Sequence, residues 1–468
     1  MPVPVINVNQ MRAWESATWA LGRTEAGVIR RVGEKIAARV LGLTRPGAGI
    51  LILAGKGHNG DDARAAKKFL AGRKVATINV ASPVPALSAL RTALLKKPAL
   101  IVDGLFGVGL NRPLADGWLR LIAAVNESKI PVLAVDVPSG LNADTGEIFG
   151  AAIEAMVTLT VGAPKLGLLS QRAWPFVGRL EIVEQVGLVP CPLNSRLNWT
   201  LPDDFQNYPP PRAVAAHKGS YGHLAIVAGS VGFHGAAVLT ARAAQRARPG
   251  RLTLFTDAAV YGVVASQLQA VMVASWRPQC IFPDSTSAIL VGPGLAASGI
   301  AGKLVASTRK LWRASALPVV VDASALDWLP SGRFAGKAIR VVTPHPGEAA
   351  RLLKTTARKI QENRVAALRD ISGRLGDCWV VLKGHQTLVG RSFGDVFVNP
   401  SGNPHLAQGG TGDLLAGFLA GLLAQPVLQA DPGKTIRYAV WSHGAAADRL
   451  SARCANWVVE ELAAELGR

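Results

Sequence analysis

Asn403-Pro404-His405-Leu406-Ala407-Gln408-Gly409-Gly410-Thr411-Gly412-Asp413 runs straight into the apolar stretch Leu414–Ala424. Glycines at a helix start let several backbone N–H groups face one charged phosphoryl group. An aspartate directly after them falls on the first helical turn, within reach of the group being phosphorylated. There it suits removal of a hydroxyl proton during phosphoryl transfer, where positioning and charge stabilisation do most of the catalysis. The plainer reading is a glycine-rich turn with an aspartate at a helix start, and the specificity of the whole run G-G-T-G-D argues against it. Leu414–Ala424 is too short to cross a bilayer and holds two glycines, so it is expected to be a buried helix.

Upstream, short apolar runs ending in Gly or Asp alternate with Ala-, Leu- and Arg-rich amphipathic stretches. In the first half they are GILILAG (Gly49–Gly55), ALIVDG (Ala99–Gly104) and VLAVDVPSG (Val132–Gly140). The second half continues with HLAIVAGS (His223–Ser230), AILVGPG (Ala288–Gly294), VVVDA (Val319–Ala323), IRVVTP (Ile339–Pro344) and WVVLKG (Trp379–Gly384). Continuous apolar strands separated by helical patterns predict mostly parallel sheets covered on both faces, hence α/β architecture in both halves. The rhythm breaks once, over VPCPLNSRLNWTLPDDFQNYPPPR (Val189–Arg212), which has no period and ends in three prolines. A chain of 468 residues is too long for one ordinary domain, and two are expected, residues 1–200 and 201–468.

Hydrophobic content of 49% with 49 Gly fits a folded α/β protein. The net charge of +20 is spread along the chain and aromatic residues are only 6%, so a nucleic-acid partner is not expected. A basic surface also suits polyanionic nucleotides. Cys191, Cys280, Cys378 and Cys454 are isolated, which argues against a zinc site or disulfide framework and fits a reducing cytoplasm. The start, MPVPVINVNQMRAWE, has no basic segment followed by an apolar one, so neither a signal peptide nor membrane attachment is expected.

Gly55-Lys56-Gly57-His58-Asn59-Gly60-Asp61-Asp62 follows one predicted strand and precedes a predicted helix, Ala63–Arg73. Taken alone it is equally a tight turn or an anion-binding one. Asp103 ends a second strand and enters GLFGVGL; Asp136 ends a third and enters VPSGLNADTG. Each aspartate by itself could cap a helix. Open parallel sheets bind ligands beyond the carboxyl ends of strands, so three polar strand ends are expected to converge.

These residues carry a resemblance. From Arg212 onward the chain resembles ribokinase-like NAD(P)H-hydrate dehydratases. The segments are His217-Lys218-Gly219-Ser220-Tyr221-Gly222, Val291-Gly292-Pro293-Gly294-Leu295, Val321-Asp322-Ala323, Thr343-Pro344-His345-Pro346-Gly347-Glu348, Lys383-Gly384-His385-Gln386-Thr387 and the G-G-T-G-D run, in family order. The first ~190 residues resemble the YjeF-type NAD(P)H-hydrate epimerase domain, through the Gly55 turn, the Asp103 and Asp136 segments and Gly162-Ala163-Pro164-Lys165-Leu166-Gly167. The resemblance implies a Rossmann-like three-layer αβα domain joined to a ribokinase-like α/β domain. It also implies metabolite repair: epimerisation of R and S NAD(P)H hydrate, then dehydration of the S epimer at the expense of ADP, or ATP in some relatives.

Carried over by position, Asp413 is the base and Gly409-Gly410-Thr411-Gly412 the anion hole. Lys383, Gly384, His385, Gln386 and Thr387 with Gly412 bind the nucleotide, and Gly294 and His345 line the hydrate site. In the first domain Asn59, Asp103 and Ser139 hold K⁺; their carboxylate, amide and hydroxyl oxygens are hard ligands suited to an alkali cation. Asp103 is also placed to move a proton during ring opening. His58-Asn59-Gly60-Asp61-Asp62, Gly107-Val108-Gly109-Leu110-Asn111-Arg112-Pro113 and Asp136 touch the hydrate. Mg²⁺ accompanies the nucleotide, and a homo-oligomer acting on small molecules is expected. Departures from the family pattern are His58, Asp61 and Ala63 in the first domain, and Ala296, His405 and Gln408 in the second; Asp61 is expected to repel an anionic ligand. Two other readings fit the same residues: a small-molecule kinase of the ribokinase superfamily, and an N-terminal domain that binds without catalysing.

Overall fold

Every residue of Gly49–Ala54 (β1) after the first is buried, and the period of two along a strand sends its side chains to opposite faces. Ile50, Ile52 and Ala54 pack with Val32, Ile36 and Val40 of the helix Glu25–Leu43, while Leu51 and Leu53 pack with Leu90, Leu121 and Val125 on the other side. With β2 (Lys74–Asn79), β3 (Leu100–Gly104), β4 (Val132–Val135), β5 (Val157–Val161) and β6 (Arg179–Val183) it forms a parallel sheet ordered β2-β1-β3-β4-β5-β6. The chain leaves β1 first for β2 on one side and then for β3 on the other, and the crevice beyond such a switch is where open sheets take ligands. This is the expected three-layer αβα domain.

The computed structural model describes residues 2–276, 281–296, 300, 302–334 and 338–468, so Cys280 lies outside the described residues. The chain separates into two compact units, residues 3–195 and 196–468. The division falls a few residues before the boundary expected at 200/201, because Leu197–Trp199 (β7), inside the aperiodic stretch, pairs with a strand of the second unit.

That unit adds β8 (His223–Val227), β9 (Arg251–Thr256), β10 (Met272–Ser275), β11 (Ala288–Val291), β12 (Val319–Val321), β13 (Arg340–Val342), β14 (Trp379–Leu382), β15 (Leu388–Gly390) and β16 (Val396–Val398), in the order β7-β16-β15-β14-β13-β12-β11-β8-β9-β10. Pairing is parallel except on both sides of β15. The apolar run is a helix, Thr411–Leu423, buried from Leu414 to Leu423. Its two glycines are contact points: a Cβ on Gly417 would lie 2.1 Å from the Thr240 carbonyl oxygen, and one on Gly421 would lie 2.7 Å from the Ala247 Cβ, at the helix His234–Arg246 and its C-terminal cap. None of the described helices is long and apolar enough to cross a membrane.

One helix starts earlier than expected. The predicted Ala63–Arg73 helix runs His58–Ala66, followed by a 3-10 turn over Lys67–Phe69. Gly60 makes this start fit, since a Cβ there would lie 2.1 Å from the Gly55 carbonyl oxygen.

Candidate active sites

The end of β3 delivers Asp103 into the protein interior, fully buried. Its carboxylate accepts from the Ser139 hydroxyl (2.7 Å), the Ser139 N–H (2.9 Å) and the Leu105 N–H (3.1 Å). Burial pushes its carboxyl up to about 6 against those hydrogen bonds. The Asn59 Nδ2 donates to the Phe106 carbonyl at 2.7 Å, leaving Asn59 Oδ1 buried and without a partner. An orphaned buried acceptor is costly unless something else satisfies it. The expected trio Asn59, Asp103 and Ser139 is thus linked through the Phe106 backbone, which also donates to Ser139 Oγ at 2.9 Å.

In front of the trio opens a cleft of about 850 Å³. His58, Asn59, Asp62, the run Gly107–Pro113 and Asp136 line it. Gly60 and Asp61 do not. Asp61 pairs with Arg64 at 2.7 Å, so the expected repulsion of a ligand by Asp61 has no geometric basis. Asp103 and Ser139 also stand outside the lining, so Asp103 does not face a ligand in the cleft.

Among the carboxyls that do line it, Asp62 is pushed up to about 8 by burial and then by Asp136, Asp61, Glu15 and Glu25. Asp136 has a left-handed backbone, φ 63°, and pairs at 2.5 Å with Lys165, which is fully buried and also donates to the Val161 carbonyl at 2.9 Å. Holding a non-glycine residue in that conformation costs about 1–3 kcal/mol and is a mark of functional sites. Arg12, Lys56 and Arg112 supply cations to the lining, and the His58 imidazole stands among them. Sequence reasoning quoted Lys165 within G-A-P-K without a role; a lysine just past a strand end was the available signal. Arg12, Glu15 and Trp19, from the helix Val8–Ala20, gave no signal beyond amphipathic spacing.

The second site lies at the carboxyl ends of β12, β13 and β14. Lys383 Nζ meets Asp322 Oδ1 at 2.8 Å and Glu348 Oε2 at 3.8 Å. Burial alone would lower the lysine's pKa, but Asp322 and Glu348 outweigh it and the net direction is upward. Asp413, in the first turn of Thr411–Leu423, is pushed up to about 7 by burial, reinforced by Asp322 and Glu348 and opposed by Lys383. A carboxyl poised near neutrality is suited to general-base work.

Gly410 caps that helix at φ 94°, and a Cβ on Gly412 would lie 3.4 Å from Lys383 Nζ, so lysine and glycine turn face each other. Thr411 Oγ1 is turned away, donating to the Leu406 and Gln408 carbonyls. His345 is the N-cap of the helix Pro346–Leu353: its Nδ1 accepts from the Gly347 N–H at 3.0 Å, while Glu348 accepts from the His345 N–H at 2.8 Å. Gly294, at φ 66°, packs against the Phe233 carbonyl, and Gly292 against that of Asp322.

In the Lys383–Thr387 loop, Gly384 has φ 130°, Gln386 is nearly buried with Nε2 unpartnered, and Thr387 Oγ1 donates to the Gly384 carbonyl. Arg364 holds this loop through the carbonyls of Leu382 (3.0 Å) and Lys383 (3.4 Å). Asp322 and Glu348 were quoted in the sequence as motif members without roles; Arg364 and the buried His443, whose pKa burial lowers to about 4, carried no sequence signal.

A glycine-rich helix start, a buried lysine and a carboxyl of raised pKa at the strand ends of one unit, and a cleft of its own in a separate Rossmann-like unit, define an α/β enzyme with a ribokinase-like half. Residues 224–466 match the family described as NAD(P)H-hydrate dehydratase, and residues 77–167 match that described as YjeF-related protein N-terminus, starting beyond the His58–Asp62 turn. The bifunctional NAD(P)H-hydrate repair enzyme of Gloeobacter violaceus is 36% identical over 96% of this chain and 94% of its own length. That of Coxiella burnetii is 34% identical over 94% and 93%. A solved ribokinase-like superfamily protein from Enterococcus faecalis superposes with a TM-score of 0.51 at 25% identity, covering 59% of this chain and 95% of its own. The chain belongs to the family of bifunctional NAD(P)H-hydrate repair enzymes.

Proposed function

We propose that the chain restores hydrated NAD(P)H, the N-terminal unit interconverting the R and S hydrates and the C-terminal unit dehydrating the S epimer. The observation that carries this reading is Asp413, a carboxyl pushed up to about 7 beside the Gly409–Gly412 turn and Lys383. As base it takes the proton of the 6-hydroxyl while the turn's N–H groups receive the transferred phosphoryl group. Phosphate then leaves from C6 far more readily than water would, and the dihydronicotinamide reforms. Gly294 and His345 border the hydrate, and the Lys383–Thr387 loop holds ADP, or ATP.

Groups of three or more His, Cys, Asp or Glu able to hold a metal are absent among the described residues, which fits Mg²⁺ arriving on the nucleotide phosphates. In the N-terminal unit, Asn59, Asp103 and Ser139 with the Phe106 carbonyl suit K⁺: all are oxygen donors, and Asn59 Oδ1 has no other partner. The ion supplies fixed positive charge behind the cleft. Arg12, Lys56 and Arg112 match the ligand's phosphates. Both activities are read as those of a cytoplasmic homo-oligomer.

The test is one assay of the full chain with ADP, Mg²⁺ and mixed hydrate epimers, following dihydronicotinamide absorbance. Complete recovery of NAD(P)H is expected. A stable phosphorylated product in its place would make the chain a small-molecule kinase.

A further inference from the structure

Several charged groups in and around the N-terminal cleft are paired. Asp61 pairs with Arg64, Glu25 with His58, and Asp136 with Lys165. Among the described residues Glu15 and Asp62 line the cleft with carboxyls that make no hydrogen bond and no ion pair, and the more deeply buried of the two is Asp62. It lies three residues after Asn59 on the helix His58–Ala66, so both side chains share one helix face. Asp136 likewise lies three residues before Ser139. Asp62 and Asp136 line the same space and act on each other electrostatically.

Resting on the epimerase reading, we propose that Asp62 is the acid–base catalyst of the N-terminal cleft, acting on the ring nitrogen of the hydrated ligand while Asp136 acts on the 6-hydroxyl. A hydrate at C6 is a hemiaminal, and its stereocentre inverts by opening and reclosing the ring. Asp136 takes the hydroxyl proton and C6 becomes a carbonyl. The C6–N1 electron pair passes to N1, which takes the proton of Asp62. Rotation about C5–C6 presents the other face, N1 attacks, and the reverse transfers return both carboxyls to their starting states. Nothing is oxidised or reduced, and no co-reactant is consumed. The reaction needs one protonated and one ionised carboxyl together. The cleft provides this asymmetry: Lys165 matches the charge of Asp136, while burial and four surrounding carboxyls keep the proton on Asp62 up to about pH 8.

Asp62→Asn and Asp62→Glu in the full chain test this, with R-to-S exchange as the readout. Asp136, Asp61, Glu15 and Glu25 face Asp62, and Lys165, His58 and Arg12 are charged groups acting on Glu15. Wild-type exchange is expected to fall above about pH 8 as Asp62 loses its proton. Asp62→Asn should lower exchange by on the order of 10²–10⁴-fold, with little change in KM, and remove that alkaline limb. Asp62→Glu should recover part of the rate, and the K⁺-dependent rise in Tm should persist in both variants. Exchange by Asp62→Asn at the wild-type rate, or an unchanged alkaline limb, would overturn the assignment. A wild-type chain that dehydrates S hydrate but never exchanges epimers would instead overturn the epimerase reading.

Discussion

Lys383 in the C-terminal unit stands among Asp322, Glu348 and Asp413, whereas Lys165 in the N-terminal unit pairs, among the described residues, with Asp136 alone and leaves Asp62 unmatched. Both lysines are buried, and both sites hold a carboxyl with a raised pKa. Lys383 opposes the rise of Asp413, which stands near 7, whereas burial and neighbouring carboxyls together raise Asp62 to about 8. Charge placement around otherwise similar aspartates thus sets how far burial raises each carboxyl.

The largest effect expected is that of Asp413→Asn, which keeps the shape and removes the base: turnover of S hydrate should fall by roughly 10²–10⁴-fold. Loss of less than about threefold would break the comparison at its better-supported end. Asp103→Ala should reduce epimerisation by at least about 10–100-fold and abolish the K⁺-dependent rise in Tm, while dehydration of pure S hydrate continues. Epimerisation that survives without K⁺ dependence would detach the cation trio from the cleft.

The pH dependence of dehydration sharpens the contrast. Because Asp413 must be ionised to act, kcat/KM should drop about tenfold per unit below about pH 7. The sign for stability is opposite to that of a salt-bridged aspartate. The folded pKa lies above the unfolded one, so the contribution to stability is full at low pH and is lost as pH rises through about 7. Asp413→Asn should therefore raise Tm at pH 8 while lowering turnover; an unchanged or lower Tm would mean the carboxylate is compensated in the fold. Next in size, a chain beginning at Pro202 should dehydrate S hydrate but melt several degrees below one beginning at Arg196, because it lacks β7 and its pairing with β16. Equal melting curves would show that strand to be dispensable. The smallest effect belongs to Asp61→Gly. Its ion pair with Arg64 is partly exposed, so epimerisation should stay within about twofold of the parent. A large gain would mean Asp61 leaves Arg64 when ligand binds.

The two sites also differed in how much of them could be read from the chain. Gly409 to Asp413 are contiguous, and a contiguous run fixes its own geometry: glycines at the helix start put Asp413 on the first turn wherever the helix packs. The convergence of Asp103 and Ser139 was equally legible, as a property of strand ends in a parallel sheet. The division of labour between Asp61 and Asp62 was not. Neighbouring helix positions point about 100° apart, and which one faces the cleft depends on where the helix begins. The polar string His58–Asp62 reads as loop, yet it is helix because Gly60 fits against Gly55. The contacts of Lys165 and Arg364 were hidden for a related reason. Each acts through partners far along the chain, Asp136 and the carbonyls of Leu382 and Lys383, and no local pattern marks a long-range contact.

Gly417 and Gly421 have a mechanical consequence. Where they meet the helix His234–Arg246, the two helices touch nearly backbone to backbone, with no long side chains between them to bend or slide. Close packing of this kind behaves as a rigid body. The glycine turn at the head of Thr411–Leu423 is thus bolted to its neighbour and has no travel of its own. A nucleotide must come to this turn as to a fixed anvil. Any closing stroke belongs to elements without such a joint, among them the exposed segment Val231–Phe233 opposite Gly294. Amide exchange in the helix should therefore be slow with or without nucleotide, and ligand-dependent protection should concentrate in that segment.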